Sequence, residues 1–142
     1  MPGDQGVSFL APALTVISAN VESISSAKQE ILAELCSKLR CDVLCLQETH
    51  RASDNNRPTI PGMVLVTERP HRQYGSAIFV KASSAIEATS VSEDDNIEVL
   101  SVELSSVVVT SVYKPPGTNF KFPHPSATST QQTAHYWRLQ QP

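Results

Sequence analysis

The stretch with the most chemistry in it is Asp42-Val43-Leu44-Cys45-Leu46-Gln47-Glu48-Thr49-His50. Its apolar run, Val43 to Leu46, has no alternation before the chain turns abruptly polar. A run of that length reads as a strand buried on both faces. Glu48 then falls just past the strand end, where a partly desolvated carboxylate needs a cation or hydrogen-bond donors. A divalent metal is one such cation, and a solvated acid opening a loop is the plain alternative. Leu14 to Ala19 reads as an earlier strand, with Val16 and Ile17 supplying β-branched character. It delivers Asn20 and Glu22 to its C-terminal end. Separated by one residue, these two project to the same side if the chain stays extended. They then share a pocket, or else they simply begin a loop.

The elements between must bring these groups together. Ser26 to Leu39 reads as a helix, with Ser26 as cap and Gln29 completing a capping-box pattern. Ile31, Leu32, Leu35, Cys36 and Leu39 form its apolar stripe, and Glu34 and Lys38 make an i,i+4 pair on the outer side. Strand, helix, strand at this spacing predicts a crossover whose strands are parallel and close. Asn20 and Glu48 are thereby expected at one edge of one sheet.

Beyond His50 comes a polar loop to Pro61, then a short strand from Met63 to Thr67. Glu68 to Tyr74 is the most basic loop, in which Arg69, His71 and Arg72 are either phosphate contacts or ordinary surface charge. Ser76–Lys81, Ile86–Ser92, Ile97–Leu104 and Val107–Tyr113 read as strands, the last two joined at Ser105-Ser106 by a tight hairpin. Glu93-Asp94-Asp95 reads as a solvated turn. Pro115-Pro116 ends the final strand, because proline cannot continue a ladder.

Composition narrows the class. The chain has 142 residues, 40% hydrophobic and 18% charged, which suits one small globular domain. A net charge of −3 gives no basic footprint, so any DNA contact is local. No apolar run approaches the roughly 20 residues that cross a bilayer, and the N-terminus lacks signal-peptide character. The expectation is an intracellular chain without a membrane partner. Cys36, Cys41 and Cys45 are odd in number and do not form close metal-binding pairs, so all three read as structural. Residues 1–13 read as a loose leader. From Ser126 to Pro142 the chain is small, polar and aperiodic, and is expected to be disordered.

Four phrases then agree in order: Leu14 to Ser23, Leu46-Gln47-Glu48-Thr49-His50, Gly75 to Lys81, and Val109 to Gly117. From about Leu14 to Pro125 the chain resembles the endonuclease/exonuclease/phosphatase superfamily. The nearest likeness is to endonuclease domains of non-LTR retrotransposon (jockey-like) reverse transcriptases. The resemblance implies an α/β fold that is part of a four-layer α/β sandwich, with a mixed β-sheet and a flanking helix. It implies Mg²⁺ (or Mn²⁺) at Glu48, with Glu22 nearby, Asn20 orienting the catalytic groups, and Tyr113 on the scissile phosphate. It implies DNA as the partner and no small-molecule cofactor. Such relatives hydrolyse a phosphodiester by metal assistance. They also carry Gly-Asp-x-Asn and Ser-Asp-His phrases, which this sequence lacks. The expectation is therefore a domain truncated after its first half and inactive alone. One sheet face would be left in water, and a second half supplied in trans is the further partner this implies. An inositol-phosphate or lipid phosphatase of the same superfamily, or a non-catalytic interaction fragment, remains open.

Overall fold

Strand β2 (Val43–Gln47) is buried at every position, as its unbroken apolar run requires. It lies at the centre of a computed structural model that describes residues 13–52, 57–116 and 132–135. Before it come β1 (Val16–Asn20) and α1 (Ser26–Leu39). After it come β3 (Met63–Arg69), β4 (Ser76–Lys81), β5 (Ala88–Asp94), β6 (Ile97–Glu103), β7 (Val107–Tyr113) and β8 (Gln132–His135). The first sheet has the order β1-β2-β4-β3 and the second β5-β6-β7-β8. Strands β1 and β2 are parallel, with Asn20 opposite Gln47, so the predicted crossover is present.

Two cores follow from the double-sided burial of β2 and β4. On one face Leu44, Leu46, Ala77 and Phe79 pack with Leu32 and Cys36 of α1. On the other, Val43, Cys45, Ile78 and Val80 pack with Leu100, Val102 and Val109 of the second sheet. The result is helix, sheet and sheet in three layers, a mixed α/β arrangement with two packed sheets. The expectation that a sheet face would be left in water holds for strand β5 of the second sheet, which is exposed at every position, but not for the first sheet. The inner face of the first sheet is covered by the second, because β6 and β7 belong to this chain and alternate apolar residues inward.

Other local expectations shift for identifiable reasons. The helix has the predicted bounds, but its cap is Ser25, whose side chain accepts from the Lys28 N–H. Its contact line is narrower than the predicted stripe, and Ile31, Leu35 and Leu39 are 64%, 37% and 52% exposed. Only Leu32 and Cys36, one turn apart, are buried in the helix. Strand β3 runs on to Arg69, and β5 reaches Asp94, leaving Asp95 and Asn96 as the positive-φ turn residues. Asn and Asp tolerate that conformation better than most side chains. Residues 1–12 of the expected leader lie outside the described residues. Within the stretch from Ser126, Gln132–His135 pairs in parallel with β7, and the rest lies outside the described residues. Backbone pairing on a strand edge needs no side-chain periodicity, which is why aperiodicity did not predict it.

Candidate active site

The C-terminal ends of β1 and β2 form one edge, and the polar residues gather there. Glu48 follows β2 directly, with φ of 55°, a left-handed turn that swings the chain out of the sheet. The turn is held by backbone bonds on both sides. Ser23 N–H donates to the Glu48 carbonyl at 2.8 Å, and His50 N–H donates to the Tyr74 carbonyl at 2.8 Å. Thr49 N–H donates to the Gly75 carbonyl at 3.1 Å.

Strand β7 brings Tyr113 in from the second sheet. Its Oη donates to Glu48 Oε2 at 2.6 Å, a short bond of the kind an ionised acceptor makes. The phenol is pushed well above its ordinary range, first by burial, then by the hydrogen bond to Glu48 and the negative charge of that carboxylate. It therefore stays a donor. The other carboxylate oxygen, Oε1, lies 3.8 Å from Nε2 of His50. Tyr74 tilts against Tyr113 with centroids 6.0 Å apart and stacks on His71 at 4.9 Å. The Nδ1 of His71 accepts from the N–H groups of Gln73 and Tyr74 at 3.1 and 3.0 Å, so this histidine braces its own loop.

Asn20 reaches the same edge as Glu48, one pairing position before it. Its Oδ1 accepts from the Glu22 N–H at 3.2 Å, closing a small turn. Glu22 and Ser23 have φ of 42° and 88°, so the chain does not stay extended past Asn20. Glu22 is exposed, yet Asn20 and Glu22 still line one open pocket, together with Lys28, Ile31 and Leu32. The Nζ of Lys28 caps this turn, donating to the carbonyls of Val21 and Glu22.

A hard cation of the Mg²⁺ type takes one or two carboxylates, keeps several waters and completes its shell with substrate phosphate. Glu48 and Asn20 place a carboxylate and an amide at one sheet edge, donor types that such a cation takes. Among the described residues, no three His, Cys, Asp or Glu side chains converge on one point, so a closed protein cage does not fit.

Two residues at this edge escape the sequence reading. Arg69, read from the sequence as a phosphate contact or a surface charge, is largely buried. It forms an ion pair with Glu98, with Glu93 Oε2 a further 3.5 Å neighbour. Glu98 is fully buried in β6. The signal for it was present, since Glu98 falls in phase with Leu100 and Val102 on the apolar side of a period-two strand. A carboxylate in that phase must have a buried partner.

The family model for the endonuclease/exonuclease/phosphatase family matches residues 17–141. The chain belongs to this family. The match runs past Pro125, where the sequence reading ends the likeness. No curated protein matches the chain. Among solved structures, the fold is similar to that of the 3′ phosphatase NExo from Neisseria bound to product DNA hairpin. The TM-score is 0.58 at 22% identity, covering 71% of this chain and 41% of that one. An AP endonuclease from Archaeoglobus fulgidus gives 0.55 at 22% identity, with 71% and 41% covered. A 3′-5′ exonuclease from Neisseria meningitidis gives 0.54 at 23%, with 69% and 40% covered. The chain thus spans about two-fifths of the length of these structures.

Proposed function

We propose that this chain carries the metal-anchoring part of a DNA-cleaving phosphodiesterase centre of retrotransposon endonuclease type. The observation that carries the reading is the Tyr113 Oη–Glu48 Oε2 hydrogen bond at 2.6 Å, made at the sheet edge that Asn20 also reaches. It joins Tyr113 and Glu48, which with Asn20 come from three of the four family-like phrases. Members of the family are generally dependent on a divalent metal. Of the structural neighbours named above, one is bound to a product DNA hairpin and another is an AP endonuclease, which supports DNA as the substrate class.

In this reading Glu48 offers a carboxylate oxygen to Mg²⁺ (or Mn²⁺), and Asn20 an amide. Tyr113 fixes the Glu48 carboxylate from the buried side and, staying protonated, presents a donor where a phosphate oxygen would lie. Glu22, exposed on the adjoining turn, acts at most through water. A bound cation supplies charge stabilisation to the phosphoryl and leaving oxygens. The sequence has no Gly-Asp-x-Asn or Ser-Asp-His phrase to orient and activate a water. We therefore take cleavage to need a complementing segment, in cis or in trans. Parts of a centre that act as a unit lose several powers of ten when one is missing.

The test is nicking of supercoiled DNA. The purified chain is expected not to nick with Mg²⁺ or Mn²⁺, nor to cut abasic duplex. Mixed with the downstream half of a related endonuclease, it should nick, and Glu48→Gln should abolish that. Nicking by the chain alone that is lost in Glu48→Gln would overturn the division of labour. It would point to His50, whose Nε2 lies 3.8 Å from Glu48 Oε1, as the water-side group.

A further inference from the structure

Glu98 belongs to the second sheet, yet its hydrogen-bonding partners at this edge come from the first. Its carboxylate accepts from Arg69 at the end of β3, from the Gly75 N–H at 2.9 Å, and from the Ser76 hydroxyl at the start of β4. It is wholly inaccessible, and the Arg69 side chain is 15% exposed. A buried ion pair is weak evidence for stability, since apolar residues of like volume often serve as well. What it does supply is a fixed position.

Two lines run from that position to Glu48. Along β6 and β7, Glu98 is the direct cross-strand partner of Tyr113. Through the first sheet, Glu98 holds the Gly75 N–H, while the Gly75 carbonyl accepts from Thr49 and the Tyr74 carbonyl from His50. The residues on either side of Gly75 thus hang from the same carboxylate as the loop that carries Glu48. Gly75 has φ of 101°, and an added Cβ would lie 2.5 Å from Thr49 Oγ1, so the turn has no slack.

We propose that the Glu98–Arg69 pair is the positioning device of the candidate site, setting the Tyr113–Glu48 hydrogen bond from both sheets at once. Glu98 and Arg69 are positioning residues, not catalytic ones, because neither reaches the Glu48 carboxylate. The proposal rests on the reading of Glu48 and Tyr113 as the site, but its geometry is tested separately.

The test is a double-mutant cycle on the full chain, read by urea unfolding. Tyr113→Phe removes the donor to Glu48, and loss of a hydrogen bond to a charged group raises the unfolding constant about tenfold. The same substitution is then made in Arg69→Met/Glu98→Met, where both ionic partners leave together so that neither charge is stranded. In that background the cost of Tyr113→Phe should fall below about twofold. An unchanged tenfold cost would overturn the proposal, because a pair with only a structural role lowers stability without moving this coupling. Should the methionine pair fail to fold, the cycle is run in Glu98→Gln, which breaks the ion pair and keeps the side-chain volume. The same two outcomes then decide.

Mn²⁺ binding, read by electron paramagnetic resonance, separates this proposal from the reading beneath it. Binding lost in Glu48→Gln and weakened severalfold in the methionine pair supports both. No Mn²⁺ binding by the natural chain sinks the metal reading, while the cycle still decides the positioning. Binding of undiminished strength in the methionine pair, with the coupling intact, overturns the positioning and leaves the metal reading standing.

Discussion

At the scale of single residues, the site is made by conformations that most side chains avoid. Glu48 and His50 both have φ of 55°, and Gly75 has φ of 101°. Such angles persist only where the surroundings over-determine them, and they cluster at functional positions. Gly75 tests this directly. A methyl there meets Thr49 Oγ1 at 2.5 Å and two backbone atoms of His71 at 3.2 and 3.3 Å. It also has to adopt a backbone angle costly for any residue with a Cβ. Gly75→Ala should therefore lower stability by about 1–3 kcal/mol, measured as a fall in the urea midpoint. Gly62 also has positive φ, but a methyl there meets nothing within 4 Å. Gly62→Ala should cost less than Gly75→Ala, only the backbone component. Equal costs would mean that the crowding at Thr49 relaxes freely.

At the scale of elements, what was legible in the sequence was whatever burial writes into periodicity. The unbroken run from Val43 to Leu46 announced a central strand, and the capped helix before it announced the parallel crossover. Together these placed Asn20 and Glu48 at one edge. What periodicity could not show was how wide the helix contact is. Five apolar residues at helical spacing gave a broad stripe, but one short helix on a twisted sheet buries only Leu32 and Cys36. Nor could it show the turn after Asn20, where two non-glycine residues, Glu22 and Ser23, adopt positive φ. The Glu98–Arg69 pair was hidden for a different reason. Residues 29 positions apart on different sheets meet only through tertiary packing, and no local pattern encodes that. The contrast within α1 and β2 gives the second prediction. Leu44 is fully buried, so Leu44→Ala should cost about 2–5 kcal/mol in denaturant titration. Leu39 is 52% exposed, and Leu39→Ala should stay within about 0.5 kcal/mol. A Leu39 cost approaching that of Leu44 would mean that something covers this face of the helix in solution.

At the scale of the whole molecule, the chain is two cores sharing one sheet, and each core holds thiols. Cys36 and Cys41 lie on the helix side, and Cys45 lies between the sheets. All three are free and buried. Burial is the leading cause in each case, since a thiolate would lose its hydration, and it pushes Cys41 and Cys45 up to about 12. Once unfolded, these thiols return to their ordinary value of 9.0. Between those limits the unfolded chain releases protons that the folded chain keeps, so stability must fall as pH rises. It should be unaffected by these groups below pH 9 and decline from there toward 12, by about 1.4 kcal/mol per pH unit for each fully titrating thiol. Urea midpoints at rising alkaline pH measure the decline. Tyr113, also pushed upward, contributes to the same alkaline decline, so Cys45→Ala is the control. That variant begins less stable, because it leaves a small cavity between the sheets, but its stability should fall less steeply with pH. Parallel curves for the natural chain and Cys45→Ala would mean that Cys45 does not stay protonated in the folded core, and that water reaches the space between the two sheets.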